Sequence, residues 1–238
     1  MPKNQEKTIL ILHGWGSSSE KWQKVRDLLS KNNFQVIVPD LPGFGKNPAP
    51  FKPWDIDNYV EWVKDFIETQ KLEKFFLLGH SFGGRIAIKL AIKYPEKIEK
   101  LILVSSAGIK PKPNFILRFS AFFAFVKKFR WLPGFFFARE IFYKYILRRT
   151  DYLKAKGIMR ETFKKVIKED LAYCLSHIKI PTLIIWGNKD KMTPVSDAYI
   201  INRKIKNSKL KLLKDTGHAP HLECPEKLSE VILKFLNS

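Results

Sequence analysis

The 238-residue chain has few cysteines, no long apolar run, and a small share of acidic residues. Its two cysteines, Cys174 and Cys224, cannot build a disulfide framework, and no Cys/His spacing typical of a metal site surrounds them. No run approaches the ~20 apolar residues of a transmembrane helix, and the first residues show no signal-peptide core. These absences exclude a disulfide-stapled domain and predict a soluble cytoplasmic protein.

Basic residues outnumber acidic ones, 43 to 23, for a formal net charge of +20. Residues 112–172 hold 15 Lys/Arg and 5 Asp/Glu, a net of +10, together with 15 of the 32 aromatic residues. Such a balance suggests an anionic partner, either an acidic carrier protein or an anionic membrane surface. No recognition motif accompanies the charge, so nucleic acid is not expected as a partner.

Short apolar runs alternate with helical patterns along most of the chain. Near-continuous apolar strands indicate a parallel sheet that is buried on both faces, and the alternation indicates a doubly wound α/β fold. The predicted strands are residues 8–12, 35–38, 75–78, 101–104, 182–186 and 210–213. The predicted helices are residues 19–31, 55–70, 82–94, 194–206 and 225–235.

The alternation stops after the fourth predicted strand. From there to residue 177 the pattern is helical and aromatic, with one helix predicted within 153–175. We predict a core domain of residues 1–108 and 178–238, and an inserted helical cap of residues 109–177. The cap would cover the carboxyl edge of the sheet, where open α/β sheets bind ligands.

A G-x-S-x-G motif, GHSFG at residues 79–83, stands directly between a predicted strand and a predicted helix. A strand-to-helix turn this sharp crowds any Cβ near the serine backbone, so glycines are needed there. The turn exposes the Ser81 hydroxyl at the helix N-terminus, where the dipole favours developing negative charge. Ser81 is therefore the predicted nucleophile.

A serine hydroxyl needs a base that takes its proton. His218 lies in the loop after the last predicted strand and is the preferred candidate, and His221, three residues further along, is the alternative. His80 lies within the turn itself, where its side chain should point away from the serine. The remaining histidines are interpreted as structural or surface residues, namely His13, His80 and His177.

A carboxylate should orient that base from the end of a neighbouring strand. Asp190 follows the strand predicted at 182–186 and is preferred, with Asp215 and Asp197 as alternatives. The chain order Ser81, Asp190, His218 is typical of one particular fold class.

The oxyanion of an acyl-transfer reaction needs two backbone N–H donors. Phe82 follows the nucleophile and supplies the first predicted donor. Trp15 stands between glycines in the loop after the first strand, so its N–H can face the site. We therefore predict Trp15 as the second donor and expect its ring to form a wall of the acyl pocket.

Taken with their order, these motifs make the sequence resemble the α/β-hydrolase superfamily. The matching segments are HGWG at 13–16, DLPGFG at 40–45, GHSFGG at 79–84, WGNKD at 186–190 and GH at 217–218. The resemblance implies a hydrolase core with a helical cap and a Ser81–Asp190–His218 triad. Only about seven residues precede the first strand, so the N-terminal strands of that family should be reduced or missing.

Within the superfamily, a serine at position 81 argues against epoxide hydrolases and haloalkane dehalogenases, which use aspartate there. The C–C bond hydrolases typically carry Asn and Trp where this chain has His80 and Ala219. Several loops are similar to those of carboxylesterases and of pimeloyl-carrier-protein methyl ester esterases. The resemblance therefore implies a carboxylesterase-type serine hydrolase that needs no metal or organic cofactor.

The expected substrate is a small-molecule ester with an apolar acyl or aromatic part. The aromatic cap segment should supply the pocket, through Phe119, Phe122, Phe123 and Phe136. The alternatives are a methyl ester esterase or thioesterase acting on a carrier-protein-bound acyl group, a C–C bond hydrolase, and a non-catalytic ligand sensor.

Overall fold

The computed structural model describes residues 7–110 and 155–238. Six strands form one sheet in the order β2-β1-β3-β4-β5-β6, and every neighbouring pair is parallel. The strands are β1 (Lys7–Leu12), β2 (Phe34–Ile37), β3 (Phe75–His80), β4 (Ile98–Val104), β5 (Thr182–Gly187) and β6 (Ser208–Leu213). The predicted doubly wound parallel sheet is confirmed.

Seven α-helices flank this sheet in the described ranges. They are α1 (Gln23–Ser30), α2 (Ile56–Thr69), α3 (Phe82–Lys93), α4 (Gly157–Lys168), α5 (Val195–Lys204), α6 (Pro220–Glu223) and α7 (Pro225–Leu236). The helix predicted within 153–175 is α4, which ends at Lys168 because the backbone becomes extended at Glu169. None of the helices in these two ranges is long and apolar enough to cross a lipid bilayer.

The outer strands differ from the prediction that every strand is buried on both faces. The four inner strands are almost wholly buried, whereas exposure alternates along β6. Lys209 and Lys211 of β6 face solvent. The prediction is wrong for β2 and β6 because they are the two sheet edges, and lysine on an edge strand discourages pairing with another chain.

The hydrophobic core lies on both faces of the sheet. On one face, α2, α3 and α5 pack through a cluster that includes Tyr59, Val63, Ile86, Leu90 and Ile201. On the other face, α1 and α7 pack through a cluster that includes Trp22, Val25, Leu29, Leu228 and Ile232. Burial of these side chains from both sides fixes the sheet, and with it the loops at the carboxyl ends of its strands.

The turn between β3 and α3 is the tightest feature of the fold. Ser81 has a φ of 50°, in the left-handed region that non-glycine residues rarely occupy. A Cβ at position 83 would overlap the carbonyl oxygen of Leu12 at the end of β1. Gly83 is therefore required by close backbone approach, which lets α3 begin directly against β1.

We expect Gly83→Ala to destabilise the fold by about 3 kcal/mol, because the added methyl group would displace backbone rather than a flexible side chain. Urea unfolding would measure the change. The matched control is Gly16→Ala, where φ is 68° and a Cβ would meet open space. Conformational strain alone should make that variant about 1–2 kcal/mol less stable. Equal losses in the two variants would contradict the overlap argument.

Candidate active site

Three side chains form a hydrogen-bonded chain at the carboxyl edge of the sheet. The Ser81 hydroxyl lies 2.9 Å from His218 Nε2, and His218 Nδ1 lies 2.8 Å from Asp190 Oδ2. Because the carboxyl ends of parallel strands share one edge, the ends of β3, β5 and β6 bring these residues together. In this arrangement Nδ1–H donates to the carboxylate, and Nε2 is left to accept the serine proton.

The Asp190 side chain is fully buried, and both of its carboxylate oxygens accept hydrogen bonds. Its Oδ1 accepts the backbone N–H groups of Met192 at 2.8 Å and Thr193 at 3.0 Å. Its Oδ2 accepts the Thr193 hydroxyl at 2.8 Å as well as His218. Burial by itself would raise the pKa of Asp190, but the hydrogen bonds and charge of His218 and the bonds from Thr193 outweigh it and hold the pKa below its usual value.

The two alternative carboxylates lie in other surroundings. Asp215 has a φ of 57° in the turn after β6, and its side chain pairs with Lys189 at 2.8 Å. Asp197 lies in the first turn of α5, where burial raises its pKa to about 6. Nδ1 of His218 is hydrogen-bonded to Asp190 instead.

His13 connects two loops beside the site. Its Nδ1–H donates to the Gly14 carbonyl at 2.8 Å, and its Nε2 accepts the Leu41 N–H at 3.0 Å. Burial lowers the pKa of His13, which favours the neutral imidazole that this pattern requires. His177, by contrast, ends the short 3₁₀ helix Leu175–His177 and is exposed.

Two further histidines support the His218 loop from behind. The Nε2–H of His80 donates to the backbone carbonyl of His218 at 2.8 Å. His221 lies in α6 and stacks on Trp22 with 4.3 Å between ring centroids and 2° between planes. Burial lowers the pKa of both imidazoles, that of His221 to about 4. Both are therefore neutral structural groups at pH 7.

We expect the free energy of unfolding to fall as the pH drops from 7 to 5. Over this interval His221 becomes protonated in the unfolded chain, whereas the buried His221 of the folded chain stays neutral. Its pKa is 6.5 when unfolded and about 4 when folded, so this stability is present above pH 6.5 and is lost toward pH 4. His221→Phe keeps an aromatic ring stacked on Trp22. Between pH 7 and pH 5 its free energy of unfolding should fall by about 2 kcal/mol less than that of wild type. Urea unfolding at both pH values measures it. An unchanged pH dependence in the variant would contradict the assignment.

The two predicted oxyanion donors flank Ser81. Phe82 is the first residue of α3, where backbone N–H groups have no acceptor within the helix. The loop after β1 passes directly against the serine, since a Cβ on Gly14 would lie 3.4 Å from Ser81 Cβ. Trp15 follows in that loop, and its ring packs on the Phe82 ring with centroids 5.3 Å apart.

A mostly apolar cavity opens over the Ser81 hydroxyl. Aromatic side chains from three elements wall it, with Trp15 and Phe163 rings 4.9 Å apart. Its lining consists of Trp15, Ser81, Phe82, Arg85, Ala107, Phe163, Val166, Ile167, Met192, Thr193 and His218. Helix α4 thus lies over the site. Most of the predicted cap lies outside the described residues. So do all four predicted pocket residues, which are Phe119, Phe122, Phe123 and Phe136.

Arg85 of α3 joins the nucleophile's helix to α4. Its Nη1 donates to the backbone carbonyls of Val166 at 3.1 Å and Glu169 at 2.9 Å. Cationic groups at a helix C-terminus satisfy carbonyls that lack intrahelical partners. The contact positions α4, and with it Phe163, over the cavity.

Sequence reasoning did not single out Arg85, Met192 or Thr193. A signal existed for Met192, because an aspartate side chain often accepts the backbone N–H group two residues further along in an Asx-turn. Nothing in the sequence indicated that Arg85 reaches residues some 80 positions away.

Comparisons with known proteins agree with this architecture. A family model described as alpha/beta hydrolase fold matches residues 7–142 and 142–225. Human monoacylglycerol lipase ABHD6 is 30% identical over 263 residues, which cover 97% of this chain and 75% of that protein.

Two solved structures share the fold at lower identity. The enol-lactonase of Burkholderia xenovorans LB400 superposes with a TM-score of 0.77 at 22% identity, covering 100% of this chain and 94% of that one. The esterase EaEST of Exiguobacterium antarcticum gives a TM-score of 0.76 at 24% identity, with 98% and 92% covered.

Proposed function

This chain belongs to the alpha/beta hydrolase family, and we propose that it is a carboxylesterase-type serine hydrolase. The observation that supports this most is the hydrogen-bonded chain from Ser81 through His218 to Asp190. It joins a nucleophile, a base and an orienting carboxylate, the set that acyl transfer requires. Its position beneath an apolar cavity gives an ester's acyl group a place to bind.

In the proposed mechanism, His218 Nε2 takes the Ser81 proton as the hydroxyl oxygen attacks the ester carbonyl. The N–H groups of Trp15 and Phe82 stabilise the oxyanion. The protonated His218, held by Asp190, then gives its proton to the leaving alcohol. A water molecule, activated by the same imidazole, hydrolyses the acyl-enzyme and restores Ser81.

The cavity lining supports an apolar acyl group as the part of the substrate that is recognised. Phe82, Phe163, Val166 and Ile167 offer carbon surface beside Ser81. Monoacylglycerols are the first natural esters to test, since the human relative is a monoacylglycerol lipase. Methyl esters and thioesters of the same acyl chains should be assayed in parallel to identify the preferred leaving group.

The first experiment is hydrolysis of p-nitrophenyl esters of increasing acyl length. We expect kcat/KM to rise about fourfold for each added methylene until the cavity is filled, because burying one methylene contributes roughly 0.8 kcal/mol. Absorbance of the released p-nitrophenol measures kcat/KM for each ester. No turnover of any ester, with a ligand-induced thermal shift, would contradict the esterase and favour a non-catalytic ligand sensor.

A pair of variants tests whether the Phe163 wall of the cavity recognises the acyl chain. Phe163→Ala removes the α4 ring and should flatten the rise of kcat/KM with chain length, while Phe163→Leu should preserve most of it. Acetate ester hydrolysis should change least in both variants, since the shortest acyl group offers the least carbon surface for the Phe163 ring to contact. Equal loss on short and long esters would contradict a role in chain-length recognition.

A further inference from the structure

Thr193 donates two hydrogen bonds to the buried Asp190 carboxylate, one from its backbone and one from its side chain. Its backbone N–H lies 3.0 Å from Asp190 Oδ1, and its hydroxyl lies 2.8 Å from Asp190 Oδ2. A carboxylate held through both oxygens by one residue cannot rotate about its last bond without breaking a hydrogen bond. The second contact matters most, because Oδ2 is also the oxygen that accepts His218 Nδ1–H.

The hydroxyl of Thr193 has three neighbours and one hydrogen to donate. The Ser105 carbonyl and His218 Nδ1 are both 3.3 Å away, further than the carboxylate oxygen. A hydrogen bond to an ionised acceptor is roughly twice as strong as a neutral one. The hydroxyl therefore donates to Asp190, so that Oδ2 receives two donors.

Thr193 is itself anchored from its other side. The indole Nε1–H of Trp186, a fully buried residue of β5, donates to the Thr193 carbonyl at 3.0 Å. Pro194 follows directly and caps the start of α5. The residue is thus fixed between the sheet and a helix, and its hydroxyl is preorganised toward Asp190.

We propose that Thr193 is a positioning residue whose hydroxyl keeps Asp190 Oδ2 aimed at His218 Nδ1. The proposal rests on the proposed function, because it assigns a role within the same triad. Without the hydroxyl, His218 would be the remaining side-chain donor to Oδ2 among the described residues. The carboxylate would then gain freedom to turn, and His218 would lose part of its orientation toward Ser81.

The test compares two near-isosteric variants. Thr193→Val keeps the shape and removes the hydroxyl, while Thr193→Ser keeps the hydroxyl and removes a methyl group. We expect kcat to fall ~10–100-fold in Thr193→Val with KM within about twofold of wild type, since a hydrogen bond to a charged group is lost. Thr193→Ser should retain at least about a third of kcat.

Direct titration of the Asp190 carboxylate supplies a readout that a purely structural role would not move. Loss of a donor raises the pKa of Asp190, so its carboxyl resonance, followed by NMR against pH, should titrate at higher pH in Thr193→Val than in wild type. Thr193→Ser should follow the wild-type titration. Matching kcat and matching titrations in the two variants would overturn the proposal. Thr193→Ala replaces Thr193→Val if thermal melting shows that the valine variant does not fold.

A reactivity probe and a spectroscopic probe separate this proposal from the proposed function. The rate of Ser81 labelling by a fluorophosphonate needs no natural substrate, and it should fall in Thr193→Val as kcat does. If wild type neither hydrolyses esters nor becomes labelled, the proposed function fails. The NMR resonance of the His218 Nδ1 proton then decides: a displaced resonance in Thr193→Val, but not in Thr193→Ser, supports the Thr193 contact, and identical resonances overturn it.

Discussion

Ser81→Ala should lower kcat for ester hydrolysis by about 10⁵-fold or more while the chain remains folded. The change removes the only atom that attacks the carbonyl in the proposed mechanism, and His218 Nε2 then has no proton to take. Alanine needs no more space than serine in the same backbone conformation. Steady-state assays should be paired with mass spectrometry after fluorophosphonate treatment, because the variant should acquire no adduct.

Ser229→Ala is the matched control. Ser229 is a buried serine of α7, on the opposite side of the sheet from α3. Its loss should leave turnover within about twofold of wild type. If Ser81→Ala kept more than about a tenth of wild-type turnover, the nucleophile would lie elsewhere and the assigned roles of His218 and Asp190 would fall with it.

Asp190→Asn is the second large effect, with an expected loss of about 10⁴-fold in kcat. An amide at this position presents an N–H group where His218 Nδ1–H now finds an acceptor. The imidazole would then adopt the other tautomer, with Nε2 protonated and unable to accept the Ser81 proton. The pH profile of kcat, measured over the stable range, should show no recovery at any pH.

The two alternative carboxylates provide the controls for that experiment. Asp215→Asn alters an exposed residue paired with Lys189 and should leave kcat within about twofold. Asp197→Asn should have a similarly small effect, because Asp190 is the carboxylate bonded to His218. A severe loss in Asp197→Asn together with a mild one in Asp190→Asn would reassign the orienting carboxylate.

The strand pattern could be predicted because it depends on neighbouring residues. Apolar runs such as residues 8–12 and 182–186 appear in the structure as buried inner strands. The edge strands departed from the pattern because exposure depends on which strands lie at the sheet margin. β6 is a regular strand but carries exposed lysines, unlike the buried inner strands. Only the strand order, which places β6 at the sheet edge, explains this difference.

The tight turn at residues 79–83 was determined by the sequence itself. Its glycines permit a close backbone approach that other residues would not tolerate, and the structure shows Ser81 in the left-handed region. The order of Ser81, Asp190 and His218 was likewise visible, since each follows a predicted strand. These are local properties, and local chain chemistry is enough to state them.

Tertiary structure alone decided which groups meet. The hydrogen bonds from His80 to the His218 carbonyl and from Arg85 to the end of α4 span 138 and more than 80 positions. The choice of Asp190 over Asp197, and the second donor from Thr193, depend on side-chain directions within one buried turn. Such contacts follow from the packing of the whole sheet against its helices, which brings the ends of distant loops within hydrogen-bond reach. No residue pattern along the chain shows which loop ends will meet.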